Sequence, residues 1–283
     1  MKPALWALAI GVALSASGAQ AATIYGVDET NNLVSFDSAN PSTFSSSVKI
    51  TGLTNSIQAL DFRPVNGALY GLGSDKTVYM IDTGTGAATA VGGALAITGT
   101  EFAFDFNPTI DRLRIVSNTN QNYVFDPNTG GLTTATSVFY AEGDVNAGRD
   151  ADVTGGAYTS STLGAAAGTT QLYGIDTALD VLVRQANSAG TLTTVGATGV
   201  DLGSRTSFDI AGSDAFAFNG STLYRVDLNS GAFSQVGTTG RALFGIAISP
   251  VPEASTWAMM LVGFGMVAGA ARYRSRRVTA AIA

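Results

Sequence analysis

Apolar and polar positions alternate in short runs along most of this chain, and the runs recur. The stretch Ala68–Gly92 predicts two short strands, a Thr-Gly turn and a third strand ending in Val-Gly. Related passages begin at positions 24, 69, 113, 172 and 215, at intervals of 45, 44, 59 and 43 residues. A period near 44 falls in the range of four-stranded propeller blades. Long runs of helical periodicity occur only toward the two ends.

A fourth strand per unit lies just upstream of each copy. Gln58–Phe62, Phe102–Phe106, Asp152–Tyr158 and Thr206–Ile210 stand in that place for the second to fifth copies. The first copy has no such strand before it, but Ala242–Ile248 supplies one at the other end of the repeat region. A strand from the C-terminal side completing the N-terminal blade would close the ring and remove open sheet edges. The expected fold class is therefore all-β, a β-propeller of five four-stranded blades closed by its N- and C-terminal strands, with a C-terminal transmembrane helix beyond it. The turns agree. Asp82–Gly86, Asp126–Gly130 and Asp227–Gly231 each pair an Asp able to accept local backbone hydrogen bonds with a Gly for a positive-φ position. The long third interval leaves room for further strands, and its segment Ser160–Thr170 reads as a surface loop.

The ends have a different pattern. Residues 1–21 carry Lys2, an apolar run and Ala19-Gln20-Ala21, the order of a secretory signal peptide cut before Ala22. The region 22–249 is the propeller-like domain and 250–283 a tail. Within the tail, 255–271 is free of charge and Arg272, Arg274, Arg276 and Arg277 follow as a membrane stop. At about 1.5 Å per residue this run is at the short end for a membrane helix. The arginines should stay cytoplasmic and leave the body on the far side of the inner membrane.

Val251, Pro252, Glu253, Ala254 and Trp257, with Gly263-Phe264-Gly265 and the arginines, resemble a PEP-CTERM sorting signal, here with Ala254 in place of the last Pro. The resemblance implies a Gram-negative bacterium that makes exopolysaccharide. It also implies sorting by an exosortase, and a precursor tethered to the inner membrane before it reaches the surface or the extracellular matrix. Signal peptidase and exosortase are then the expected processing partners, and an exopolysaccharide or envelope protein the candidate ligand.

Composition narrows the chemistry. The chain has no His and no Cys, which removes imidazole acid–base catalysis, thiol chemistry and the usual zinc ligands. Net charge is −6, but five of the fifteen basic residues lie at the ends, so 22–250 carries 10 basic against 20 acidic residues. An acidic body disfavours nucleic acid as a partner.

The body resembles the bacterial family of domain of unknown function 4394. The resemblance is carried by Leu69-Tyr70-Gly71, Phe106-Asn107-Pro108, Asp111-Arg112-Leu113-Arg114, Gly155-Gly156-Ala157-Tyr158-Thr159 and Leu172–Asp176. It implies a propeller-like domain and brings no activity with it.

Two groups of carboxylates are candidate sites. Asp61, Asp105 and Asp209 recur at one strand position and are placed to ring the central channel. They suit either a carboxylate- or metal-dependent hydrolase or lyase, or hydrogen bonds that hold blade to blade. Glu142, Asp144, Asp150 and Asp152 form the densest acidic stretch, a candidate Ca²⁺ loop whose spacing is not that of an EF-hand. Its alternative is a solvated loop tethered by Arg149. Tyr25, Tyr70, Tyr79, Tyr173 and Tyr224 can stack sugars, but their repeat positions assign them to the core first. No catalytic residue is assigned. A binding or structural module is the expectation, with the channel hydrolase as the alternative.

Overall fold

The computed structural model describes residues 21–164 and 168–250, with positions 263, 265 and 266 of the tail. Five sheets surround one axis. The first consists of β21 (Leu243–Ile248), β1 (Thr23–Asp28), β2 (Asn32–Asp37) and β3 (Asn40–Lys49), in that spatial order. The second runs β4 (Ile57–Arg63), β5 (Ala68–Gly73), β6 (Val78–Ile81) and β7 (Ala88–Ala90), from the axis outward. The third follows with β8 (Phe102–Asn107), β9 (Arg112–Ser117), β10 (Asn122–Phe125) and β11 (Leu132–Thr134).

The fourth blade departs from the expected four strands. It contains β13 (Val153–Tyr158), β14 (Leu172–Asp176), β15 (Val181–Gln185) and β16 (Thr191–Ala197), with β12 (Phe139–Tyr140) added outside β16 in parallel register. Part of the long third interval therefore becomes a fifth strand. The fifth blade is β17 (Ser207–Ala211), β18 (Asp214–Asn219), β19 (Thr222–Val226) and β20 (Phe233–Thr238).

The ring closes as expected, with β1 pairing antiparallel to β21 through Ile24↔Ile248 and Tyr25↔Ala247. The ladder skips Gly245, which sits at φ 57° where a Cβ would lie 2.7 Å from the Ala59 backbone. Only glycine has both the positive φ and the missing bulk needed there. The turns are built as read. Asp82 Oδ1 accepts the amides of Gly84 and Thr85, and Gly86, Gly130 and Gly231 have φ of 73°, 73° and 82°.

Apolar residues gather in five clusters, one at each joint between neighbouring blades. At the second joint Tyr70 meets Phe106 edge to face with ring centroids 5.0 Å apart, and Tyr25 meets Phe62 likewise at 5.4 Å across the first. Blade stacking is thus the core of the molecule, because each sheet buries both faces against its neighbours.

The signal-peptide segment lies outside the described residues, Ala21 excepted. The segment 255–271 does too, apart from Gly263, Gly265 and Met266, which are helical. Among the described residues no helix is long and apolar enough to cross a membrane.

Candidate functional site: the central channel

The innermost strands β4, β8, β13, β17 and β21 pack against one another in turn and line the axis. One position on each faces its counterparts: Asp61, Asp105, Ala157, Asp209 and Ala247. The three aspartates are buried, and one carboxylate oxygen from each comes within 4.8 Å of the others.

Their hydrogen bonds follow a rule. Asp61 accepts the Phe106 amide of the next blade at 2.6 Å, Asp105 accepts Tyr158 N at 3.0 Å, and Asp209 accepts Ile248 N. Each carboxylate thus crosses to the residue after its counterpart. The two alanines cannot do this for Ile210 and Phe62. The Ile210 amide turns instead to its own neighbour, Asp209 Oδ1, at 2.6 Å. Three carboxylates therefore satisfy four of the inner-strand amides at this level. A buried backbone N–H demands such a partner.

Burial raises all three carboxyls above the ordinary carboxylate range. Repulsion from Asp209 adds to this at Asp61, and repulsion from Asp61 and Asp209 adds to it at Asp105. Asp209 is pushed up to about 6 by burial, with the amides of Ile248 and Ile210 pulling the other way. Carboxylates this close cannot all be ionised without a counter-charge, so the layer shares protons or takes a cation. Oxygens up to 4.8 Å apart fit the 2.3–2.6 Å oxygen shell of Ca²⁺.

The next inward-facing residues toward the start of these strands are small: Ala59, Ala103, Gly155, Ser207 and Gly245. Above them the channel widens into a cavity of about 350 Å³. Gln58 and Ser207 stand in its wall, and Gln58 Oε1 and Ser207 Oγ are buried with no protein hydrogen-bond partner. Its rim is charged and partly paired, with Glu29 exposed and outside the ion pairs among the described residues. Arg205 Nε contacts Glu101 at 3.3 Å and Arg241 contacts Asp28 at 3.0 Å. Arg205 also lies 4.9 Å from the centre of the Phe244 ring, and Lys76 Nζ 4.3 Å from that of Phe102.

The acidic stretch is not gathered in this way. Burial opposes ionisation of Asp144, but its carboxyl is held below the ordinary range because it accepts the Asn146 amide at 2.9 Å and the Thr194 amide and hydroxyl, each at 2.7 Å. Asp150 accepts Asn120 Nδ2 at 2.6 Å, Asp152 accepts the Thr177 hydroxyl at 3.0 Å, and Glu142 is exposed. Three carboxylates thus point to three separate partners. Among the described residues, the cluster whose oxygens converge is the channel triad. Tyr70, Tyr79 and Tyr173 are buried in blade contacts, and Tyr25 and Tyr224 are half-buried.

Gln58, Ser207 and the Glu101–Arg205 pair carry no repeated signal, and so sequence reasoning passed over them. It also gave no role to two arginines of the joints, one of them Arg114 of the Asp-Arg-Leu-Arg element. Buried Arg63 grips Asp111 through two nitrogens and Asn128 at 2.8 Å. Buried Arg114 reaches Asn122 at 2.8 Å, Tyr158 Oη at 3.2 Å and Ser188 at 3.3 Å. The Asp-Arg-Leu-Arg element therefore serves blade joints.

A PEP-CTERM protein-sorting motif matches residues 250–277. No curated protein matches the chain. Among solved structures it resembles one from a nidogen/laminin complex, at 10% identity and a TM-score of 0.52, over 82% of this chain and all of that one. A protein of unknown function from Bacteroides thetaiotaomicron matches at 13% identity and a TM-score of 0.48, over 83% of this chain and 68% of the other. The first likeness concerns the fold alone. The model of the Domain of unknown function (DUF4394) family matches residues 32–247, from the second strand to the closing one, and the chain belongs to that family.

Proposed function

We propose that this protein is exported and sorted by an exosortase, and that its propeller serves the cell envelope or matrix as a binding or structural module. The observation that carries the reading is positional. The sorting motif begins at residue 250, two residues after the last strand of a closed ring ends at Ile248. A finished domain thus stands directly before a processing signal. A signal peptide at 1–21 and a membrane segment at 255–271 complete the route, by way of an inner-membrane precursor to the surface or medium. Fractionation of the full-length protein beside a Pro252→Ala/Glu253→Ala variant tests this. The wild type should be shortened and leave the membrane while the variant stays there at full size. Equal size and location for both would refute it.

The convergence of Asp61, Asp105 and Asp209 favours one second reading, a metal- or carboxylate-dependent hydrolase or lyase acting in the channel. The triad would hold the ion through its carboxylates, and the ion would supply Lewis acidity. Titration of Ca²⁺ at about pH 8 should then raise the melting temperature of the wild type and not of Asp105→Asn. No shift in the wild type removes the metal-dependent form of this reading.

A further inference from the structure

We propose that the wide end of the channel is a binding site for a neutral, hydroxyl-bearing small molecule of monosaccharide size. This deepens the binding-module reading and rests on it. The cavity of about 350 Å³ lies at the lower end of ordinary small-ligand pockets. Its depth is set by the aspartate layer, where carboxylate oxygens within 4.8 Å of one another leave no passage for a ring. A molecule entering here is held as a terminal unit, because a continuing chain has no way out below.

The wall selects the chemistry. Gln58 Oε1 is an acceptor, and Ser207 Oγ both gives and takes a hydrogen bond; both are buried and without a protein partner. A hydroxyl group donates and accepts, so it can serve either atom. Ala59, Ala103 and Phe244 present an apolar surface in the same wall. That combination fits a ring with a C–H face and a hydroxyl edge.

Charge argues against an anion. Glu29 stands free on the rim, and Arg205 and Arg241 already meet Glu101 and Asp28, so an anion finds no unpaired cation there among the described residues. The buried carboxyls below repel an anion.

Isothermal titration of the full-length protein tests the site. The probes are the methyl glycosides of glucose, mannose and galactose, with N-acetylglucosamine, putrescine and CaCl₂ run in parallel. At least one neutral sugar should bind with one-to-one stoichiometry. Gln58→Leu and Ser207→Ala should each weaken it tenfold or more while melting no lower than wild type, since an unpartnered buried polar group replaced by an apolar one of like shape is neutral or stabilising. If Gln58→Leu does not fold, Ser207→Ala decides, because it removes one oxygen and nothing else. The proposal is overturned if no sugar binds, if a sugar binds both variants as well as wild type, or if putrescine or calcium alone binds. Wild-type protein that sorts normally but binds no sugar refutes this site and leaves the sorting reading standing. Sugar binding with failed sorting does the reverse.

Discussion

The Asp61 carboxylate accepts the Phe106 amide at 2.6 Å, joining two inner strands whose partners lie 45 residues apart in the chain. Asp105 and Asp209 repeat the relationship with Tyr158 and Ile248. The layer is therefore first a set of staples. Asp105→Ala leaves the Tyr158 amide buried without an acceptor and should cost about 1–3 kcal/mol in urea unfolding. Asp105→Asn retains a carbonyl oxygen at the same place and should recover most of that loss. Equal loss in both variants would show that the charge, and not the acceptor, matters.

The triad also sets a pH dependence. Its carboxyls are raised on folding, so the stability they contribute is complete below about pH 4, the unfolded value. That contribution is lost as pH rises through the folded values, about 6 for Asp209. Asp28 runs the opposite way. Its carboxyl is lowered to about 2: burial opposes ionisation, but hydrogen bonds from Asn32 and Thr30 more than offset it. Its contribution holds above about pH 4 and is lost as pH falls toward 2. Melting temperature in metal-free buffer should peak between about pH 4 and 6 and decline toward 8. Asp105→Asn should flatten the decline on the alkaline side, and an unchanged profile would count against repulsion as its cause.

The pair of Arg63 and Asp111 joins the second and third blades. Arg63 is buried and Asp111 partly exposed, so Asp111→Ala leaves the guanidinium short of an acceptor and should destabilise by about 1–3 kcal/mol. Arg63→Met/Asp111→Ala should lie closer to wild type than Asp111→Ala alone. Additive losses in the double-mutant cycle would show that the two residues act independently.

Gly245→Ala should be the costliest of the glycine changes near the axis. Positive φ at a non-glycine residue costs about 1–3 kcal/mol, and here the new Cβ also meets the Ala59 backbone at 2.7 Å. Melting should fall by several degrees, with a smaller fall for Gly143→Ala, whose Cβ meets nothing within 4 Å.

Much of this architecture was legible in the sequence because the blade is a repeat and repeats add up. The turn signatures, the inner strands and the borrowed closing strand all recur, and the structure has them within a residue or two. What recurs at Asp61, Asp105 and Asp209 was visible as a column. Bonding from blade to blade was one of its two readings, and the detail that escaped is the sharing of four amides among three carboxylates, because it depends on Ala157 and Ala247, residues with no polar signal. The parallel strand β12 escaped notice since two residues have no periodicity. Arg63 and Asp111 are 48 positions apart, and only the closeness of neighbouring blades brings them together. Gln58 and Ser207 each occur once, so no comparison between copies could raise them above the background.

All five inner strands start at the wide cavity and run the same way along the axis. The closing strand is one of them: Phe244 and Ile246 line the cavity, and Ser249 follows at its far end. Six residues of strand rise about 20 Å. The sorting tail therefore departs from the face opposite the cavity. A group joined to the chain at Pro250 thus starts from the face away from the open mouth of the channel. The exit point is thus written into the order of the strands, because the element that seals the circle is also the one from which the chain leaves it.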